Sequence, residues 1–197
     1  FISFVFRAKK KYQNKIDITI LTLIDKGYYE NKLKKKGIKI ISLDISKKTK
    51  ILDLIKIILK FRNLILRSNL DVIQSWMYHS NFFTIFIPKI FFHRIFWNIR
   101  HSVLNFQMSK KVTIIISLIC ALYSRYLPKK IIYCSKKSIK FHENRHFYDD
   151  SKTILIDNGY NDKNLYSSKF QRTNFRMKNR IKKHDIVLGF AGRYTSE

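Results

Sequence analysis

The chain has 197 residues, with 40 Lys or Arg against 13 Asp or Glu, so its formal net charge is +27. Because 46% of the residues are hydrophobic and 15% are aromatic, the composition excludes an intrinsically disordered protein despite this charge. The length suits one domain or slightly more.

Two hydrophobic periods alternate along the chain, and this alternation predicts a doubly wound α/β fold. Short runs rich in Ile, Leu and Val predict strands at 15–24, 37–43, 70–76, 95–100, 130–135, 152–159 and 185–192. Helical spacing of apolar residues predicts helices at 1–14, 28–36, 49–68, 80–93, 109–126, 136–148 and 161–183. The helix over 49–68 has the clearest apolar stripe, and Thr49 is its expected N-cap.

The positive charge has two interpretations. A basic α/β module that binds nucleic acid would concentrate Lys and Arg in one stripe with interleaved aromatic residues. Here the lysines occur in nearly every segment, and the joint abundance of Lys, Ile, Asn and Phe is what an AT-rich genome would encode. We therefore favour solvated surface charge, which would also attract an anionic membrane leaflet, and keep nucleic-acid binding as the alternative.

Cysteine and histidine positions predict neither a disulfide framework nor a metal site. Cys120 and Cys134 are expected to be small buried side chains in a reducing compartment. His142 and His146 are four residues apart, with Glu143 as the nearby acidic side chain. We expect both histidines on the exposed surface of a helix.

Two polar turns lie at the carboxyl ends of predicted strands. Asp157-Asn158-Gly159 lies at the end of one strand and Gly192-Arg193 at the end of another. Ligands of open α/β sheets bind beyond the carboxyl ends of strands, so both turns are candidate sites. Asn-Gly is also a common turn pair that needs no ligand, and the local pattern alone favours that simpler interpretation.

Five landmark stretches occur in order and cover most of residues 15–197: "LDVIQSWMYHSNFF", "IFWNIRHS", "IIYCSKKSIKFH", "TILIDNGYNDKNLY" and "DIVLGFAGRYTSE". Together they resemble family 4 glycosyltransferases. The second resembles the strand with an Ile-Arg-x-Ser ending of bacterial lipopolysaccharide and capsule enzymes. The fourth resembles the Asn-Gly join, where Tyr160 and Asn161 replace the usual Ile and Asp.

The resemblance implies a GT-B fold of two Rossmann-like domains. Residues 1–158 would be the acceptor-side domain without its first strand, 159–183 the interdomain connection, and 184–197 the start of the nucleotide-sugar domain. Asn158 and Gly159 would form the hinge, with Gly159 permitting the turn. The chain starts at Phe1 and ends at Glu197, and we expect it to be a fragment that is inactive alone.

The resemblance also implies how the donor diphosphate is bound. GT-B enzymes act without a bound metal, so cationic side chains and helix N-termini supply the positive field. Gly192 and Arg193 match a "Gly-Arg" position that contacts the diphosphate, a task that suits the planar guanidinium. No metal or other cofactor is expected. The alternative for Arg193 is a solvated turn residue.

Four further residues align with family positions on the other side of the cleft. Many family members carry a catalytic His at the end of the "NIRHS" strand, which our alignment places at Arg100 or, one residue on, at His101. Because such a slip reverses the face of a strand, only one of the two can face the cleft. His79 and Asn81 are candidates to bind acceptor hydroxyls, with helix capping as the alternative. Trp76 and Trp97 are expected in the core.

The resemblance implies that the protein transfers a sugar, with retention of configuration, from a UDP- or GDP-sugar donor to a glycan acceptor in cell-surface polysaccharide synthesis. The acceptor is expected to be lipid-linked.

The apolar run 112–122 has only 11 residues, fewer than the roughly 20 that span a bilayer. We therefore expect a cytoplasmic protein, in peripheral contact with the inner membrane face, that does not bind nucleic acid.

Overall fold

The computed structural model describes residues 2–12, 15–25, 27–46, 48–104, 109–159 and 168–190. The chain divides into two compact units, Phe1–Leu155 and Ile156–Glu197. The first unit contains all six strands of the described residues, and the second contains one helix.

Strands and helices alternate in the first unit, as the sequence predicts. The strands are β1 (Thr19–Thr22), β2 (Lys39–Ser42), β3 (Ile73–Trp76), β4 (Ile95–Ile99), β5 (Lys130–Tyr133) and β6 (Thr153–Leu155). The helices are α1 (Ile2–Tyr12), α2 (Glu30–Lys34), α3 (Ile51–Arg67), α4 (Met77–Phe83), α5 (Lys111–Ser124) and α6 (Lys136–His146), with α7 (Lys169–Lys178) in the second unit. Short 3-10 segments at 84–86 and 89–94 replace the later part of the helix predicted over 80–93.

All strand pairs among the described residues are parallel. β1 pairs with β2 in a two-stranded sheet, and the other four form a sheet in the order β3-β4-β5-β6. Trp97 on one face of β4 donates a hydrogen bond from Nε1 to Thr84 Oγ1, 2.9 Å away, beside α4. On the other face, the Trp76 ring lies 6.2 Å from Phe4 of α1. Helices thus cover both faces, which confirms the predicted α/β architecture.

Local sequence explains several helix ends. Gly37 follows α2 with φ +68°, a left-handed conformation that glycine adopts without strain, and the Ile38 N–H reaches back to the Leu33 carbonyl. Ser135 caps α6 by accepting a hydrogen bond from the Ser138 N–H. The predicted cap of α3 is wrong by one residue. Its N-cap is Lys50, without a side-chain bond, while Thr49 Oγ1 accepts from the Ser46 N–H.

Two separate apolar cores stabilise the first unit. The larger core fills the four-stranded sheet and its helices, and Trp97, as predicted, is fully buried there with Ile95, Ile99, Ile131 and Tyr133. The smaller core lies around the β1-β2 pair and joins five buried residues: Val5, Ile20, Leu33, Ile38 and Ile40. Burial of apolar surface drives both, so the larger core dominates the stability of the unit.

Two predictions for the second unit differ from the structure. Residues 185–190 form no strand, and Ile186, Leu188 and Phe190 are almost fully exposed, because a strand forms only against a partner. Gly159 does not have a left-handed φ, and a Cβ there would meet no atom within 4 Å. The described backbone therefore does not require glycine at position 159.

The helices were compared with the length and apolar character of membrane-spanning helices. Among the described residues, no helix combines the length and the apolar character that crossing a bilayer demands.

Candidate functional site

The ends of β3, β4 and β5 lie side by side at one edge of the sheet. The strands are parallel neighbours, with Trp76 paired to Asn98 and Ile99 paired to Tyr133. The residues that follow each strand therefore meet at this edge, where open α/β sheets bind their ligands. We define the strand-end site by residues 76–79, 98–102 and 133–138.

The junction between β3 and α4 is strained. Met77, the first residue of α4, has φ +71°, a conformation that costs a non-glycine residue roughly 1–2 kcal/mol. Its Sδ accepts a hydrogen bond from the Arg100 N–H at 3.4 Å. The contact joins the start of α4 to the end of β4, so the two neighbouring loops are held together.

Arg100 lies against the face of the sheet that carries Trp76 and Asn98. Its guanidinium carbon is 5.0 Å from the centre of the Trp76 ring, a cation–π geometry. Nη2 donates a hydrogen bond to Asn98 Oδ1 at 3.1 Å. The side chain is half-buried, and these contacts fix a permanent positive charge at the end of β4.

His101 lies on the opposite face, as expected for adjacent residues at the end of a strand. Its exposed imidazole makes an edge contact with Tyr78, with ring centres 6.0 Å apart. Its carbonyl accepts a hydrogen bond from Ser138 Oγ at 2.5 Å. Ser138 belongs to the first turn of α6, so His101 lies beside the positive end of that helix dipole.

The two predicted acceptor residues have different environments. His79 lies on the surface of α4, where the neighbouring protein still removes part of its hydration. This desolvation, followed by the charge of Lys110, lowers the pKa of its imidazole. Asn81 is fully buried, and its Oδ1 accepts a hydrogen bond from Ser75 Oγ at 2.6 Å. The acceptor role of His79 remains a prediction, whereas Asn81 ties α4 to β3 and is closed to a ligand in this conformation.

The prediction that His142 is a surface residue is wrong, because α6 turns it into the core. Its Nδ1 lies 2.7 Å from the Ser138 carbonyl, which can only accept, so Nδ1 carries the proton. Nε2 then accepts from the Tyr78 hydroxyl at 2.7 Å. Burial lowers the pKa of His142 to about 4, although the bond to Ser138 opposes this shift. Burial also raises the pKa of the Tyr78 hydroxyl.

His146 is also buried, contrary to the same prediction. Its Nδ1 lies 3.0 Å from Ser117 Oγ of α5, and the Tyr148 hydroxyl donates to the Ser117 carbonyl at 3.0 Å. Burial lowers the pKa of His146 and raises that of Tyr148. Together the two histidines link α6 to α4 and α5 beneath the strand-end site.

The remaining predicted site residues lie elsewhere. Asn158 and Gly159 belong to the second unit, and their role as a hinge remains a prediction. Gly192 and Arg193 lie outside the described residues, so the diphosphate role also stays a prediction. Within the described part of the chain, no three His, Cys, Asp or Glu side chains are grouped to hold a metal ion. The expectation of a metal-independent reaction therefore rests on the resemblance.

Sequence reasoning missed the residues that support the strand-end site: Tyr78, Ser138 and His142. A usable signal was present on α6, where Ser138, His142 and His146 repeat every four residues and share one face. Lys136, Lys140 and Asn144 repeat in the same way on another face and are exposed. Choosing the charged face as the outer one would have placed both histidines inside.

No protein-family model matches the sequence, and no curated protein has a matching sequence. Solved structures share its fold. The Anabaena protein HepE in complex with UDP and glucose aligns at a TM-score of 0.57 and 14% identity, over 89% of this chain and 45% of that chain. HepE in complex with UDP aligns at a TM-score of 0.59 and 12% identity, over 84% of this chain and 50% of that one. The chain thus spans about half the length of these neighbours.

At this identity the likeness establishes the fold alone. The chain has a Rossmann-like α/β fold with parallel strands, of the GT-B type. The predicted Rossmann-like α/β fold is therefore confirmed, whereas the strand predicted at the start of a second domain does not form within residues 185–190.

Proposed function

We propose that the full-length protein is a retaining glycosyltransferase of the family 4 type. It transfers a sugar from a UDP- or GDP-sugar to a lipid-linked glycan acceptor in cell-surface polysaccharide synthesis. The observation that carries this proposal is the shared fold with HepE, whose structures hold UDP and glucose. The shared fold supports glycosyl transfer, and the five ordered sequence landmarks support the assignment to family 4.

The strand-end site supports the proposed chemistry. Sugar transfer develops positive charge at the anomeric carbon and negative charge on the leaving diphosphate. Arg100 supplies a fixed cation, and the first turn of α6 supplies the positive end of a helix dipole beside His101. Exposed His101 is free to approach a sugar, whereas Arg100 is held against Trp76. We therefore assign the reacting-centre position to His101 and an electrostatic role to Arg100.

The proposal also assigns roles in donor binding, acceptor binding and domain movement. Gly192 and Arg193 bind the diphosphate, His79 contacts the acceptor, and Asn158-Gly159 forms the hinge between the acceptor-side and nucleotide-sugar domains. The reaction needs no metal, because guanidinium groups and backbone N–H groups neutralise the leaving group.

A transfer assay tests the proposal. Full-length protein is incubated with radiolabelled UDP- and GDP-sugars and an extract of lipid-linked glycans, and labelled lipid is counted. We expect donor-dependent labelling, with the anomeric configuration of the donor kept in the product. Arg193→Ala should lower the rate at least 100-fold, the usual effect of removing one charge-stabilising group.

The matched control is Arg172→Ala, which removes an exposed arginine of α7 and should leave transfer unchanged. Equal losses in both variants, or no transfer with either donor type, would count against the proposal. A thermal shift produced by a DNA oligonucleotide and not by UDP or GDP would favour the basic nucleic-acid module instead.

A further inference from the structure

The outer surface of α5 is unusually apolar, and two of its five buried residues are serines. Ser117 and Ser124 face inward and are 0% and 1% exposed. Val112, Ile115 and Leu122 face outward and are 63%, 55% and 75% exposed. An outer face this apolar is uncommon in a helix that contacts only water, and it usually marks an interaction site.

A groove continues this apolar face beyond the end of α5. Its volume is about 840 Å³, and Tyr123 and Tyr126 line one side. Leu59 of α3 and Phe92 line other parts of the wall. Leu52 and Ile55 extend the exposed apolar surface along α3. We call this combined surface, formed by the outer residues of α3 and α5 and the groove between them, the apolar face.

Exposed cations surround the apolar face. Lys110 and Lys111 lie at the start of α5, and Arg125 lies at its end. Arg62 and Lys89 line the groove itself. The segment 72–142, which contains α4, α5 and the groove residues 85–92, has no Asp or Glu at all. The surroundings therefore favour an anionic partner.

We propose that the apolar face is a docking surface for an anionic lipid bilayer. Outward aliphatic side chains enter the boundary between headgroups and acyl chains, while the surrounding Lys and Arg contact anionic headgroups. Tyr123 and Tyr126 have the amphipathic rings that are enriched at membrane interfaces. This proposal deepens the proposed function, because docking would hold the enzyme beside a lipid-linked acceptor. The biological role of the docking surface therefore rests on the proposed sugar transfer.

Other occupants fit the surface less well. A second copy of the chain would bring two molecules of net charge +27 into contact, and like charges oppose that association. Nucleic acid would match the charge, but phosphates and bases gain little from Val, Ile and Leu side chains. A bilayer with anionic lipids satisfies both the charge and the aliphatic surface.

Vesicle sedimentation tests the docking surface without donor or acceptor. Full-length protein is spun with phosphatidylcholine vesicles that contain or lack phosphatidylglycerol, an anionic lipid. We expect binding to the anionic vesicles. Lys111→Gln combined with Arg125→Gln should weaken this binding about tenfold or more, because each surface cation contributes roughly 1 kcal/mol. Ile115→Gln combined with Leu122→Gln should weaken it by a similar factor.

Matched controls separate the surface from general stickiness. Lys35→Gln with Lys36→Gln makes the same charge change on exposed residues after α2, and Ile24→Gln replaces an exposed aliphatic residue beyond β1. Both controls should bind like the wild type. Equal losses in the two charge pairs with no loss in the α5 apolar pair, or no vesicle binding at all, would overturn the proposal. A dimer that Leu122→Gln dissociates, without vesicle binding, would assign the surface to a second copy.

The two proposals fail independently. Protein that binds vesicles through the apolar face but transfers no sugar keeps the docking surface and loses the proposed function. Protein that transfers sugar to a detergent-solubilised acceptor but does not bind vesicles keeps the proposed function and loses the docking surface.

Discussion

His142 combines an ionisable side chain with complete burial, and it supports two parts of the strand-end site. Tyr78, at the start of α4, donates to one nitrogen, and the other nitrogen donates to the Ser138 carbonyl. Ser138 in turn donates to the carbonyl of His101. These bonds connect His101, through Ser138 and His142, to Tyr78 at the start of α4.

The free energy of unfolding should fall as the pH is lowered from about 6.5 to 4. Burial holds the pKa of His142 at about 4 in the folded protein, below its ordinary value of 6.5, so the unfolded chain binds the proton first. The stabilisation is complete above pH 6.5 and decreases by up to about 1.4 kcal/mol per pH unit below it. Urea denaturation across this range measures the slope. His142→Gln should flatten it, whereas His184→Gln, at an exposed position, should not.

Tyr78→Phe should reduce stability by about 1–2 kcal/mol, because Nε2 of His142 would remain buried without a donor. Urea denaturation at pH 7.5 provides the measurement. Tyr126→Phe is the control. Tyr126 is 71% exposed, so removing its hydroxyl should change stability by less than about 0.5 kcal/mol. Equal effects of the two substitutions would show that the Tyr78–His142 bond contributes no stability.

At the level of elements, hydrophobic period predicted most of the architecture. The strands of the first unit follow directly from apolar runs, because a strand covered on both faces must be apolar whatever its neighbours are. The error at Thr49 shows that a cap depends on the local turn, where Thr49 bonds Ser46 instead of the helix. The missing strand at 185–190 shows that strand formation needs a pairing partner that local sequence does not specify.

The candidate site was less predictable than the fold. His101 and Arg100 were found through family landmarks, and alternation along the strand correctly predicted that they face opposite sides. The partner of buried His142 is Tyr78, 64 positions away, whereas buried Asn81 pairs with Ser75, only six positions away. The Tyr78–His142 pairing arises from tertiary packing, so periodicity along α6 could indicate the burial of His142 but not its partner.

Helix caps offer a prediction in both directions. Ser135→Ala should destabilise the protein by about 1 kcal/mol, because α6 loses the side chain that accepts from the Ser138 N–H. Lys50→Ser should stabilise it by up to about 1 kcal/mol, because α3 has no side-chain cap. Thermal unfolding compares the variants. Shifts of the same sign in both would contradict the assigned caps.

At the scale of the whole molecule, the two cores of the first unit predict uneven stability. The larger core surrounds β4 and β5, whereas β1 and β2 are supported by the smaller group around Ile20 and Leu33. Amide hydrogen exchange should therefore be slowest in Ile95–Ile99 and Lys130–Tyr133 and faster in Thr19–Thr22. Uniform protection of all these strands would indicate a single cooperative core.

The central proposal is that His101, in the strand-end site, acts at the reacting centre of sugar transfer. The most direct measurement is kcat/KM of full-length His101→Ala in the transfer assay, compared with His93→Ala at another exposed histidine. The account predicts a loss of at least 100-fold for His101→Ala, the usual effect of removing one group that stabilises charge at the reacting centre, with an unchanged melting temperature. His93→Ala should retain full activity. Transfer within twofold of wild type in His101→Ala would contradict the account.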